Sequence, residues 1–353
     1  MRPVFFAIPG DDWPATGGYV YNRRMLDLAP AAGVPLRHLA LPGSYPAPTD
    51  ADLGETARRV AATPRNAVLM IDGLAFGAMP PDLIGALDRT IVALVHHPLG
   101  LENGISPERS RWLVANETAA LGFAQAVIVT SETTARTLRD DFAVPQAKLV
   151  VAEPGVERAP RARGSGSDAI AMLAVGSLVP RKGYDMLIDA LARMTDIRWS
   201  IAIAGADDRS PETTTALRAQ IAARALGDRI ALLGPVANDE LARLYDGADL
   251  FVIASHYEGY GMAATEALAR GLPLVSTTGG ALAETVPDDA ALKVAAGDAD
   301  AFAFALRSMM TDPALRRRCA DAAFASVATL PRWEDAAGRV ARTLADVMTR
   351  DMR

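Results

Sequence analysis

The sequence predicts an α/β protein built from two doubly wound parallel-sheet domains in series. Three observations carry this. Short apolar, β-branched runs alternate with longer amphipathic stretches along the whole chain. The alternation pauses once, at "EPGVERAPRARGSGSD" (153–168), a stretch of Gly, Pro and Ser with no apolar periodicity. The length of 353 residues suits two domains of ordinary size.

Each element follows from its local pattern. Strand-like runs in the first half lie at 4–8, 68–71, 91–95, 126–130 and 148–152, bounded by Gly, Pro or polar residues. Helical patterns fall between them at 17–32, 108–122 and 132–142, the last opened by Ser131 as N-cap. After the pause, strands are expected at 169–175, 199–205, 229–234, 250–255 and 272–277. This gives a first domain over 1–160 and a second over 161–333. A C-terminal amphipathic helix from about 334 is expected to pack back on the first domain. Doubly wound sheets bind ligands at the carboxyl ends of their strands, so the expected site is the cleft between the domains.

Composition narrows the function. Half the residues are hydrophobic and 22% are charged, as in soluble globular proteins. A net charge of −6 weighs against nucleic-acid binding. The single cysteine, Cys319, excludes an internal disulfide and fits a reducing, cytoplasmic compartment. The apolar run in "MRPVFFAIPGDDWP" is short for a signal peptide, and no stretch of about 18 uncharged apolar residues predicts a membrane span. Through residue 155 there are 13 basic and 16 acidic residues, which tilts toward a soluble acceptor and leaves peripheral membrane association open. Oligomeric state leaves no trace in the sequence.

Four motifs carry candidate chemistry. In "VGSLVPRKGYDMLIDAL" (175–191), Arg181 and Lys182 sit between a strand end and a helix N-terminus, a place suited to a diphosphate. An ordinary solvated basic turn reads equally well. In "HYEGYGMAATEALARG" (256–271), Glu258 precedes a helix start near Met262, and Glu266 lies about one turn into that helix. Gly259 and Gly261 let backbone approach a ligand closely. Complementing the helix dipole explains Glu258 fairly well, but solvation explains Glu266 poorly among Ala263, Ala264, Ala267 and Leu268. In "ALVHHPLG" (93–100), His96 and His97 follow a buried strand, and one neutral imidazole there suits a sugar hydroxyl. Strand-capping structural histidines are the alternative, and no third His or Cys nearby completes a zinc site. In "PGDDWPATGGYVYN" (9–22), Gly17 and Gly18 open a helix without matching a dinucleotide fingerprint or a P-loop. The two "DAD" strings at 50–52 and 298–300 read as helix N-caps rather than metal ligands.

With these motifs in order, the chain resembles the retaining nucleotide-sugar glycosyltransferases of the GT-B fold, family 4. "GSLVPRKG" resembles the family's diphosphate loop, "LLGPVANDELARLYDGADLFVIAS" its nucleotide-base region, and "YEGYGMAATEALARGLPLVST" its E-x7-E motif. "GGALAE", "VTSETTARTL" and "EPGVE" add further matches. The resemblance covers 125–300 closely and the rest loosely. Met-Ala-Ala-Thr after Gly261 departs from the family's larger apolar residues and proline.

The resemblance implies roles. Glu266 binds the ribose hydroxyls and Glu258 lies near the donor sugar. The backbone of Gly259, Tyr260, Gly261 and Met262 sits against sugar and phosphates. Arg181 and Lys182 neutralise the leaving diphosphate, with Gly176 in the same loop and Val236 and Leu241 in the base region. Gly17 and Gly18 match an N-terminal loop near phosphates and acceptor. One of His96 and His97 matches the family's active-site histidine, with His96 favoured as the first after the strand. The implied reaction is metal-independent transfer from a UDP- or GDP-sugar to a hydroxyl acceptor with retention, without a cofactor. An epimerase or phosphorylase on the same fold is the alternative, and a non-catalytic two-lobed binding protein a third reading.

Overall fold

The computed structural model describes residues 2–11 and 16–350, with side chains through 349. Asp12, Trp13, Pro14 and Ala15, in the first glycine-containing motif, lie outside the described residues, as does the end of the C-terminal segment, 351–353. The chain divides into two compact units, one formed by residues through 155 together with those from 331, the other by 156–330.

The first unit holds six parallel strands: β1 (Val4–Pro9), β2 (Leu36–Leu41), β3 (Val68–Asp72), β4 (Thr90–Val95), β5 (Ala126–Val129) and β6 (Leu149–Val151), in the order β2-β1-β3-β4-β5-β6. The second holds β7 (Ile170–Val175), β8 (Trp199–Ala204), β9 (Ile230–Gly234), β10 (Leu250–Ile253), β11 (Leu274–Thr277) and β12 (Ala291–Val294), ordered β12-β11-β10-β7-β8-β9. Each order reverses direction once, between β1 and β3 in the first sheet and between β7 and β10 in the second. Helices depart to opposite faces there, so a crevice opens at the carboxyl edge, where ligands of such sheets bind.

All ten expected strands are present. Two more, β2 and β12, form sheet edges, where "LRHLAL" and "ALKV" place half-exposed or charged residues among apolar ones. Central strands are sealed on both faces. All five residues of β3 are buried, and in β4 Ile91 through Val95 are buried. Burying each such Val, Leu or Ile contributes roughly 1.5–3 kcal/mol.

Capping chemistry sets the helix starts. Ser131 caps helix Glu132–Asp141 by accepting from Thr134 N at 3.0 Å. Asp298 caps Ala299–Thr311 through Ala301 N. The first "DAD" string corrects the expectation: the cap of Asp50–Ala61 is Thr49, and Asp52 at the third helical position reaches back to the Thr49 N–H, a reciprocal capping box.

The C-terminal helix Trp333–Arg350 belongs to the first unit. It buries Ala337, Val340, Ala341 and Leu344, spaced for one helical face. Its first residue, Trp333, meets the Tyr21 ring edge-on at 5.9 Å, and Arg339 donates to Val151 O. The unit boundary falls at 155/156, ahead of the expected 160/161. The second half of the Gly/Pro/Ser stretch is pinned to the second unit: Ala162 N donates to Arg270 O, and Ser165 Oγ to Asp249 Oδ2.

Candidate functional site

In the second unit, the loops after β7 and β10 meet at the switch point. A 3-10 turn, Pro180–Lys182, carries the two cations, and Gly183 ends it with φ of 62°. That left-handed conformation suits glycine, and a Cβ there would lie 2.3 Å from Ala254 O. The turn is therefore pressed against the end of β10 and delivers Arg181 and Lys182 to the β10 loop. Gly176, also expected in this loop, lies under Lys182: a Cβ on it would sit 2.7 Å from Lys182 Cε.

The cations converge on Glu258. Lys182 Nζ donates to Glu258 Oε1 at 2.6 Å, and Arg181 Nη1 to Glu258 Oε2 at 3.1 Å and Tyr257 O at 2.7 Å. Ser255 Oγ adds a bond to Oε1 at 2.6 Å. Glu258 is 7% exposed. Burial by itself would raise its pKa, but Lys182 and Arg181 beside it outweigh burial and hold the carboxyl down at about 2. Glu258 is thus an ionised clamp for two cations. Complementing a helix dipole does not describe it, and neither does a solvated turn describe Arg181 and Lys182, whose side chains are 19% and 14% exposed. Backbone bonds fix the loop: His256 N donates to Arg181 O, and Glu258 pairs with Gly280.

Gly261, with φ of 96°, turns the chain into helix Met262–Leu268. Gly259 and Met262 are partly open, while Tyr260 and Gly261 are buried. Glu266 is half-buried and its pKa is raised by burial, with Tyr245 and Arg270 acting in the other direction. Tyr245 Oη donates to Glu266 Oε2 at 2.9 Å, and the Arg270 guanidinium lies 4.6 Å from the Tyr245 ring centroid. Sequence reasoning does not single out Tyr245; the apolar surroundings of Glu266 require a polar partner, and a tyrosine 21 residues upstream supplies it.

The base-region residues belong to the segment that follows β9. Val236 lies past β9, two strands from β7, and is half-buried. Leu241 packs against the cluster containing Tyr245 and Phe251.

In the first unit, the carboxyl edge at the β1/β3 switch gathers a second set. His96 follows β4, and its Nε2 lies 3.1 Å from Asn22 Oδ1 and 3.6 Å from Asp72 Oδ2. Helix Gly17–Leu28 grips the imidazole through one face: Gly18 passes beneath the ring, where a Cβ would come within 3.3 Å of His96 Cδ2, and Tyr21 meets it edge-on at 5.2 Å. Gly17 opens this helix and is exposed. His97 turns elsewhere, with Nε2 3.8 Å from Glu102 Oε2. Sequence reasoning misses Asn22 and Asp72. A buried asparagine in an amphipathic helix and an aspartate ending an apolar strand are the available signals.

Among the described residues no group of three or more His, Cys, Asp or Glu side chains is placed to hold a metal ion, and no helix is long and apolar enough to cross a membrane.

Residues 156–326, nearly the whole second unit, match the family described as Glycosyl transferases group 1. The second unit is a group 1 glycosyl transferase domain. Sequence relatives agree with this. Mannosylfructose-phosphate synthase of Agrobacterium fabrum is 39% identical over 123 residues, 33% of this chain and 27% of that protein. D-inositol 3-phosphate glycosyltransferase of Kineococcus radiotolerans is 30% identical over 264 residues, 65% of this chain and 60% of that protein. The matches thus span less than two thirds of these relatives' own length. Among solved structures, sucrose-phosphate synthase from Thermosynechococcus elongatus is similar with a TM-score of 0.83 at 21% identity, covering 99% of this chain and 100% of that one. Anabaena HepE in complex with UDP and glucose gives 0.77 at 17% identity, covering 98% and 100%. At these identities the likeness concerns the fold, which is GT-B. In the group 1 domain, the Arg181–Lys182–Glu258 cluster occupies the switch point of the sheet.

Proposed function

We propose that this protein is a retaining, metal-independent glycosyltransferase that moves a sugar from a nucleoside-diphosphate sugar to a hydroxyl acceptor. The observation that carries the reading is the clamp of Arg181 and Lys182 on ionised Glu258 at the β7/β10 switch point. Two cations against one carboxylate leave a net positive centre beside the N-terminus of helix Tyr184–Ala192. Such a centre suits a diphosphate, whose negative charge grows as the glycosidic bond breaks. With the charges preset in protein, the step requires no reorganisation of solvent and no metal in the same place.

Retention is assigned to attack by the acceptor hydroxyl on the face the diphosphate leaves. Glu258 is assigned as a positioner rather than a nucleophile. Its two oxygens already accept from Lys182, Arg181 and Ser255, and a carboxylate held at about 2 is a weak base. Glu266, with Oε2 on Tyr245, is assigned to the ribose hydroxyls through its other oxygen. The first unit is assigned to the acceptor. The similarity to proteins named as glycosyltransferases supports transfer as the reaction class.

A thermal-shift screen with UDP, GDP, ADP and TDP tests the proposal. One diphosphate is expected to raise the melting temperature, since a ligand at 100 times its Kd adds ~2.7 kcal/mol. The matching sugar nucleotide with a hydroxyl acceptor is then expected to give a product of unchanged anomeric configuration. No shift with any of the four overturns the reading.

A further inference from the structure

In the polar triad of the first unit, each hydrogen bond dictates the next. Asp72 ends β3, and its Oδ1 accepts from Leu74 N at 2.9 Å, which fixes the carboxylate plane. Its Oδ2 meets Asn22 Nδ2 at 2.6 Å in a buried contact. Asp72 is 1% exposed and Asn22 fully buried. A carboxylate only accepts, so Asn22 must turn its NH2 toward Asp72. Its carbonyl Oδ1 then faces His96 Nε2 at 3.1 Å. A carbonyl oxygen also only accepts, so the neutral imidazole must carry its proton on Nε2. The lone pair is left on Nδ1.

We infer that Asn22 and Asp72 are positioning residues that hold His96 as its Nε2–H tautomer, so that Nδ1 accepts a hydrogen bond from a hydroxyl of the bound sugar or acceptor. A steric constraint acts beside the hydrogen bonds. Tyr21, fully buried and donating to Ala152 O at 3.0 Å, and the bare Gly18 backbone confine the ring on two sides. Orientation is thus fixed by packing and protonation by hydrogen bonding. A ring nitrogen with its lone pair outward aligns a hydroxyl for attack or binding. Its partner nitrogen, tied inward, stops the ring from presenting a proton instead. The chemical role rests on the glycosyl-transfer reading; the tautomer does not.

Long-range 1H–15N correlation NMR on protein with 15N-labelled histidine, recorded at pH 8, reads the tautomer directly. The four histidines are separated with a His96→Gln control. Wild type is expected to show the proton on Nε2 of His96. In Asp72→Asn, the new amide keeps its carbonyl on Leu74 N and offers its NH2 to Asn22. The Asn22 amide then reverses and offers its NH2 to His96, so the proton is expected to move to Nδ1. Transfer with the nucleotide sugar found by the screen is expected to show kcat lowered about 100-fold, with donor KM within about twofold. An Nδ1–H tautomer in wild type overturns the inference whatever the variant does. A swapped tautomer with unchanged kcat overturns the role of His96. The expected tautomers in a protein that transfers no sugar leave the positioning pair standing and count against the glycosyltransferase reading.

Discussion

Lys182 Nζ donates to Glu258 Oε1 over 2.6 Å, and the two residues lie on loops following different strands, β7 and β10. The pair therefore closes the switch point of the second sheet and sets where negative charge can gather. Replacing Glu258 by Gln keeps an acceptor but removes the charge that holds both cations. Turnover is expected to fall by roughly two to three orders of magnitude, with nucleotide affinity changed far less. Acid stability gives an independent check. Glu258 is depressed from 4.5 to about 2, so its stabilisation is complete above the unfolded value and is lost as pH falls toward 2. Denaturant titrations should show wild type losing on the order of 3 kcal/mol relative to Glu258→Gln between pH 5 and 2. Parallel curves would refute the clamp.

Glu117 behaves in the opposite sense. It is 1% exposed in helix Pro107–Gly122, and burial raises its pKa to about 8 against the lowering bond from Leu99 N. The folded state holds a proton that the unfolded chain releases near 4.5. Its contribution to stability is complete below that value and disappears as pH rises through about 8. Glu117→Gln should flatten this dependence. Unfolding free energies of wild type should fall relative to the variant by roughly 1.4 kcal/mol per pH unit between pH 5 and 8.

Tyr245→Phe removes one hydroxyl and keeps the ring stacked on Phe251 at 5.8 Å. Glu266 loses the bond that counteracts burial, so its carboxyl moves further up. On the proposed function, calorimetry should show nucleotide binding weakened by about 1 kcal/mol, roughly fivefold. The loss should grow as pH is lowered, because protonation of Glu266, favoured further in the variant, removes an acceptor for the ribose hydroxyls. Equal binding by variant and wild type across the pH range would remove Glu266 from the nucleotide site.

Gly183→Ala tests how the cation loop is built. The left-handed φ of 62° and the 2.3 Å approach to Ala254 O leave no room for a methyl group. A loss of about 2 kcal/mol or more in chemical denaturation is expected. Because Arg181 and Lys182 immediately precede it, activity should fall in the fraction that stays folded. A variant as stable as wild type would mean that the turn relaxes without strain.

The sequence alone determined the two sheets and the helices between them, because buried parallel strands read as continuous apolar runs. It missed β2 and β12, where edge positions mix the exposed Arg37 and the half-buried charged Lys293 with apolar residues. It placed Arg181, Lys182, Glu258 and Glu266 correctly on their loops and helix, since strand ends and helix starts are local signals. Thr49 displaced the expected cap at 50–52 for an equally local reason: a hydroxyl one residue earlier completes the box with Asp52.

What tertiary structure decided is the partnership of those groups. Residues 22, 72 and 96 come together only because β1, β3 and β4 are neighbours in the sheet order. Tyr245 reaches Glu266, and Lys182 reaches Glu258, across loops whose sequence separation carries no pairing information. The favoured histidine gained its distinction in the same way: His96 meets Asn22 and His97 meets Glu102, though the two stand side by side in sequence. Local patterns fix which residues stand at strand ends. Strand order, a global property, fixes which ends meet, and with them the charge and the proton that each group carries.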